Sequence, residues 1–340
     1  MSKDSKEIVF GTGKLPNRFL DSLLSRYGSD DPRVIVRPGV GLDAAVLELG
    51  EQLLVAKSDP ITFATDQIGW YAVHVNANDI ACMGATPHWF LATILLPDQS
   101  SASFIEMIFA QIHEACESLG VSLVGGHTEM SYGLQRPLIS GTMLGTVSKE
   151  RLVTPEKARP GDLLVIAQGI PIEATAIIAY ERADTLRELG WQEEEIEAAQ
   201  HFLREPGISV VEAARVATEA VPLHGMHDPT EGGVATGLRE MAQAAGLGLW
   251  VDADALPILP IADRLCKEFD INPLGAIASG ALLLAVAPEH GDTLLSTFEG
   301  ANIPASIVGE LTEESGAWLV SDGNRIPLPE FTVDEITKLF

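Results

Sequence analysis

Val73-His74-Val75-Asn76-Ala77-Asn78-Asp79-Ile80-Ala81-Cys82-Met83-Gly84-Ala85 is the stretch around which the chain is organised. It reads as the second half of a buried helix that begins near Gln67. Val73, Ile80 and Met83 are apolar, while Ala72, Ala77 and Ala81 permit close packing. Gly84 supplies the left-handed residue that ends such a helix. Into this run the sequence sets Asn76, Asn78 and Asp79, with Asn76 and Asp79 three apart and so on one face. A carboxylate on a nearly uncharged helix carries a large desolvation cost unless something positive meets it. A metal ion is one such partner, because hard cations take carboxylate and amide oxygens. An Asp turned to solvent, or capping a neighbouring element, is the competing reading.

Composition narrows the class. The chain has 340 residues, 46% of them hydrophobic, which suits two domains each burying a core. No apolar run approaches a membrane span, and Met1 to Glu7 lead into no signal-peptide core. A net charge of −26 argues against a nucleic-acid partner and makes any anionic substrate depend on cations in the site. Cys82, Cys116 and Cys266 form no CxxC pair, so a cytoplasmic location is expected.

Outward from the central helix, carboxylates recur beside strands. Strands are expected at 33–37, 44–49 and 53–57. Asp43 stands at the mouth of the second, and Asp59 at the exit of the third, beside Lys57. Neighbouring strands lie about 5 Å apart, so antiparallel pairing brings both carboxylates to one edge. Ordinary turn chemistry explains either Asp alone; for the pair beside Asp79, metal binding stands level with it. Three glycine stretches suit close approach to a ligand: Gly11-Thr12-Gly13, for which a flexible turn is the competing reading, the loop Gly125-Gly126-His127-Thr128-Glu129, and Asp228-Pro229-Thr230-Glu231-Gly232-Gly233. The last opens a helix, whose N-terminus favours phosphate at Thr230 and Gly232; capping by Asp228 or Thr230 competes. His224 and His227 read as ordinary strand residues. A basic, proline-containing segment, 148–161, divides the chain into 1–150 and 151–340. Both halves mix helices and strands, giving a mixed α/β fold of two layered sandwich domains.

Five motifs in one order carry a resemblance: Gly41-Leu42-Asp43-Ala44-Ala45, Ser58-Asp59-Pro60, Asn78 to Ala85, Gly125 to Glu129, and Asp228 to Thr236. Together they resemble the aminoimidazole ribonucleotide synthetase (PurM-like) superfamily, which includes thiamine-monophosphate kinase, selenophosphate synthetase and the HypE-type hydrogenase-maturation carbamoyl dehydratase. The resemblance implies ATP and Mg2+ as cofactors, phosphoryl transfer to an oxygen or related acceptor, and a homodimer built through N-terminal strands. It implies Asp43, Asp59 and Asp79 as magnesium ligands. Asp228 would approach the phosphates from the second domain, and Lys57 would neutralise phosphate charge.

The chain departs from the pattern at three places. Leu42 stands where many relatives have Asp. His127 stands where several kinase-like relatives have Asp. The last residues are Thr337-Lys338-Leu339-Phe340, without the terminal Cys of the HypE type. The closest flavour is HypE, yet conversion of carbamoyl to cyanide on this chain's own tail is not expected. The leading expectation is an ATP- and magnesium-dependent enzyme. The alternatives are a non-catalytic nucleotide-binding paralogue and a metal-dependent phosphate hydrolase.

Overall fold

A computed structural model describes residues 15, 17–27, 31–37, 42–61 and 66–340. In the first half, helix α1 (Asn17–Tyr27) precedes strands β1 (Val34–Val36), β2 (Ala45–Leu49) and β3 (Gln52–Ile61). Helix α2 (Ile68–Cys82), β4 (Thr86–Pro97), α3 (Ala102–Leu119), β5 (Ser122–Ser131) and β6 (Leu138–Val147) follow. These strands form one sheet in the order β1-β2-β3-β6-β4-β5, antiparallel except for the β4–β5 pair.

The second half begins with β7 (Leu163–Ala167), α4 (Ile172–Glu181), α5 (Ala183–Glu188), α6 (Glu193–His201), α7 (Val211–Ala220), β8 (Gly225–His227) and α8 (Gly233–Ala245). It ends with β9 (Gly248–Asp252), α9 (Pro260–Glu268), β10 (Leu282–Val286), α10 (Gly291–Gly300), β11 (Ala305–Thr312), β12 (Ala317–Ser321) and β13 (Asn324–Pro327). Its sheet runs β13-β12-β9-β11-β7-β10-β8. The change of sheet falls between Val147 and Leu163, but the largest apolar cluster crosses it. Val55, Ile80, Phe90 and Ile112 share that cluster with Ile172, Ile177, Leu265 and Ile336.

The quoted stretch lies at this junction. Every residue of α2 is buried, and Gly84 ends the turn beyond it at φ +72°. Its two asparagines are the hinge pins of the architecture. Asn76 Oδ1 accepts from Asp59 N at 2.9 Å, and its Nδ2 donates to Asp59 O at 3.2 Å, tying α2 to β3. Asn78 points the other way. Its Nδ2 donates to Ile208 O at 2.8 Å and its Oδ1 accepts from Val210 N at 2.9 Å, fixing the chain just ahead of α7.

Two expected boundaries move. β3 does not stop at Lys57 but runs through Asp59 and Pro60, with Asp59 opposite Gly141. Pairing with β2 ends at Ala56, so beyond it, among the described residues, β3 has no strand on that side and tolerates proline. Gly125 to Glu129 form no loop: they lie within β5, paired in parallel with β4. Gly126, at φ +143°, takes a backbone shape side chains rarely adopt, and a Cβ there would strike the Ala92 carbonyl.

Asn78 holds two backbone groups, Ile208 O and Val210 N, inside the protein. Asn78→Ala is therefore expected to lower unfolding free energy by about 2 kcal/mol or more, the desolvation cost of stranding a buried donor and acceptor. Urea denaturation of the variant measures it, and a loss of a few tenths would contradict the clamp.

Candidate functional site

Four elements deliver polar and charged side chains to one place, buried except at Lys57 and Asp59. The residue run into β2 brings Asp43, β3 brings Lys57 and Asp59, α2 brings Asp79 and Cys82, and the end of β8 brings His227 and Asp228. The β2–β3 register, Ala45 opposite Ala56, carries Asp43 to the level of Lys57 and Asp59, as antiparallel pairing requires. Lys57 Nζ stands 3.2 Å from Asp79 Oδ2 and 3.6 Å from Asp59 Oδ2. His227 Nδ1 meets Asp43 Oδ1 at 2.7 Å, and its Nε2 meets Glu240 Oε2 at 3.2 Å. Cys82 Sγ donates to Asp228 Oδ1 at 3.8 Å. Asp43, Asp79 and Asp228 are 7%, 5% and 1% exposed.

Charge at this depth is governed by burial against neighbours. Burial alone would discharge Lys57, but Asp79, Asp59, Asp43 and Asp228 outweigh it and raise its pKa. Burial likewise opposes charge on His227, and Asp43 and Glu240 overcome it, lifting the imidazole well above its usual value. Burial pushes Asp79 well up, with Lys57 pulling the other way. Burial and the nearby Asp43 charge raise Asp228 to about 7, against His227 and Lys57. Lys57 and His227 thus face the carboxylates of Asp43, Asp59, Asp79 and Asp228. Among the described residues, Asp43 Oδ2 and Asp228 Oδ2 are buried without a hydrogen-bond partner. Orphaned, shielded carboxylate oxygens of this kind suit a divalent cation.

The other anticipated residues lie apart or otherwise engaged. Gly11, Gly13 and Gly41 lie outside the described residues. Leu42, in the place of an acid, packs on the main core cluster. Gly125 and Gly126 sit on the exposed β5 edge, with His127 Nε2 3.0 Å from Glu129 Oε2. At α8, Gly232 N donates to Asp334 Oδ2 at 2.6 Å. A carboxylate of this chain therefore fills the position expected for phosphate. Burial raises Asp334 to about 6, despite amide hydrogen bonds from Ile336, Gly232 and Ile277. A groove of about 730 Å³ near α10 and β11 has none of the acidic centre in its lining.

His227 corrects the expectation from sequence: it is the counter-charge of Asp43, not an ordinary strand residue, and its position next to Asp228 was the available signal. His224 is likewise engaged, with Nδ1 2.8 Å from Asp162 Oδ2. Cys82 was visible three residues after Asp79 on the same helix. Glu173 had no signal beyond an acid in the first turn of an apolar helix. It is 4% exposed, and its Oε2 is buried without a hydrogen-bond partner among the described residues.

Comparison with known proteins places this arrangement. One family model, described as AIR synthase related protein, N-terminal domain, matches residues 41–147, and its C-terminal-domain counterpart matches 159–320. The chain belongs to the AIR synthase related family. Within that family, it is similar to a putative hydrogenase expression/formation protein of Methanocaldococcus jannaschii, 27% identical over 292 residues, covering 82% of this chain and 83% of that one. The carbamoyl dehydratase HypE of Cupriavidus necator is 28% identical over 288 residues, covering 82% and 78%. A crystal structure of the hydrogenase maturation protein HypE in complex with ATP shares the fold. Its TM-score is 0.66 at 22% identity, covering 96% of this chain and 98% of that one. The two-domain α/β architecture expected of the AIR synthase related family is the one found.

Glu173 supplies a pH test. Burial raises its carboxyl from 4.5 to about 8, so the folded chain holds this proton more tightly than the unfolded chain. Its stabilising contribution is complete below about pH 4.5 and is lost as pH rises toward 8. Glu173→Gln should remove that decline, gaining several kcal/mol at pH 8 relative to pH 5, at about 1.4 kcal/mol for each tenfold difference in proton affinity. Urea unfolding of both proteins at the two pH values checks it; equal changes in both would refute the assignment.

Proposed function

We propose that this protein is an ATP- and magnesium-dependent phosphoryl-transfer enzyme acting on an oxygen or related acceptor of a small molecule or a partner protein. The observation that carries the reading is the convergence of the buried Asp43, Asp79 and Asp228 with the half-buried Lys57 and, at the open side, the half-exposed Asp59, with carboxylate oxygens left unpaired. Asp43, Asp59 and Asp79 would hold magnesium, which when bound neutralises phosphate charge and aligns the transferred group. Lys57, kept charged by its neighbours, places a fixed cation for the phosphates. Asp228 enters from the second half. Its carboxylate would approach the phosphates from the half of the chain opposite that of Asp43 and Asp59. The likeness to a HypE protein seen in complex with ATP supports the choice of nucleotide.

The acceptor is proposed to come from another molecule. Cys82, Cys116 and Cys266 are all buried. Burial pushes Cys116 to about 11 and Cys266 to about 12, and Cys82 well up. None is a mobile thiolate carrier at neutral pH. Three reduced thiols also fit a cytoplasmic setting. Among the described residues no helix is long and apolar enough to cross a membrane.

A homodimer through the first domain, residues 1–150, belongs to the same reading. Among the described residues β5 pairs only with β4, and Leu123, Val124 and Met130 on it are exposed, as is Tyr132 beside it. Such a bare ten-residue edge invites pairing. This also brings Gly125 and Gly126 to an interface where nucleotide can lie. The packing of Leu42 into the core, where relatives carry an acid, favours the alternative of a non-catalytic nucleotide-binding paralogue.

Purified protein with magnesium, γ-labelled ATP and a panel of acceptors separates these readings. Label on an acceptor supports transfer, release only to water indicates a hydrolase, and binding without turnover indicates the paralogue. Asp79→Asn is expected to weaken magnesium–ATP binding by about 2 kcal/mol or more, the scale of losing one partner of a buried charge contact. Calorimetry giving wild-type affinity in a folded variant would sink the magnesium assignment. Light scattering should give twice 36.3 kDa; the monomer mass would exclude the dimer.

A further inference from the structure

Magnesium-dependent phosphoryl transfer has no use for Cys82, yet its thiol lies inside the acidic centre. A buried free cysteine is usually a small hydrophobe with apolar neighbours. Here one ligand atom from each of Asp43, Cys82 and Asp228 lies within 4.8 Å of the other two. The three residues are 7%, 0% and 1% exposed. Two of the oxygens in this corner, Asp43 Oδ2 and Asp228 Oδ2, have no hydrogen-bond partner among the described residues. Leaving two carboxylate oxygens dry and unpaired is costly, and the thiol of Cys82 cannot satisfy both. His227 already compensates the other Asp43 oxygen, and Lys57 faces Asp79 and Asp59. The uncompensated charge is therefore concentrated where the sulfur is.

We propose that Asp43, Cys82 and Asp228 hold a thiophilic divalent cation of the zinc, ferrous or cobaltous class, beside the magnesium–nucleotide position and sharing Asp43 with it. The inference deepens the metal-centre reading of this pocket and rests on it. The donor set selects the ion. Magnesium takes oxygen ligands in octahedral geometry and keeps its waters, whereas a thiolate with carboxylates suits zinc and its neighbours. Three protein ligands leave a position open for water or substrate, the pattern of catalytic rather than structural zinc. A carboxylate bridging two adjacent metals is the arrangement of two-metal phosphoryl-transfer sites. On binding, the Cys82 S–H bond breaks and a sulfur–metal bond forms. The proton leaves toward Asp228 Oδ1, which the thiol already contacts, and on to solvent; no electron is transferred.

The full-length protein, stripped with a chelator, is titrated with cobalt(II) chloride and followed in the near ultraviolet. Thiolate-to-cobalt charge transfer is expected in the wild type and in Cys116→Ala and Cys266→Ala, and is expected to vanish in Cys82→Ser. Zinc should displace the cobalt and excess magnesium should not. Cys82→Ser should lose at least about tenfold in zinc affinity, since removing even a residue behind a metal ligand costs that much. Cadmium-113 NMR of the wild type reads sulfur ligation without any variant, so a misfolded Cys82→Ser leaves the test intact. Cobalt or cadmium binding with oxygen ligands only, or no binding, overturns the proposal. Magnesium–ATP calorimetry on the same sample keeps the two readings distinct. ATP binding without a charge-transfer band sinks the thiophilic site alone, and the band without ATP binding sinks the nucleotide reading alone.

Discussion

A fully buried helix with polar side chains is the constraint on which the rest of this structure depends. α2 has no exposed face on which to dispose of Asn76, Asn78 and Asp79, so each must find a partner inside. Asn76 finds β3, Asn78 finds the connection ahead of α7, and Asp79 finds Lys57. The three contacts point in three directions, and each stands within the low dielectric where an unmet polar group costs most. The relative placement of the first sheet and the second half is therefore fixed by hydrogen bonds that an aliphatic helix would not supply. Apolar packing then closes around them, which explains why the main core cluster crosses the change of sheet.

The same logic makes the acidic centre expensive to fold and useful once folded. Placing Asp43, Asp79 and Asp228 at 7% exposure or less is unfavourable unless cations accompany them. Lys57 and His227 supply part of that compensation and leave a negative surplus. The surplus is focused by the low-dielectric surroundings, so a divalent cation gains more there than on the exposed acidic surface of a −26 chain. Glu240 anchors the outer nitrogen of His227 at 3.2 Å, which fixes the ring and, through it, the orientation of Asp43. Contacts of this kind hold a carboxylate in one orientation.

The sequence was most legible where chemistry is local and patterned. Gly84 after an apolar helix, and the recurrence of Asp43, Asp59, Asp79 and Asp228 in separate motifs, pointed to the right helix and to residues that do converge. Legibility failed where tertiary pairing overrides local punctuation. Pro60 reads as the end of a strand, yet β3 continues in register with β6, its other side having no strand partner among the described residues. Gly125-Gly126 reads as a ligand loop, yet close approach of β5 to β4 is what Gly126 serves. Asp334 lies 102 residues from Gly232, and no spacing rule connects them. Glu173 was invisible for the complementary reason: an acid in a first helical turn ordinarily faces water, and only the fold reveals that this one does not.

Leu42 lies beside Asp43 at the mouth of β2 and packs on the main core cluster, where the family resemblance leads one to expect a second acid. A leucine side chain packed on the core lends no oxygen to an ion, so among the described residues at the mouth of β2 the acid is Asp43. One fewer carboxylate at that edge would leave a purely magnesium site short of ligands. The deficit lies next to Cys82, which brings a donor from α2 instead, within 4.8 Å of both Asp43 and Asp228. On the proposal above, a hard ligand missing on one element and a soft donor present on its neighbour would change the preferred ion rather than abolish the site. On that argument, the departure that favours an inert paralogue and the thiol that phosphoryl transfer ignores are two sides of one substitution of ligand chemistry. On the proposed reading, Asp59, Asp79 and Lys57 would remain available to a nucleotide.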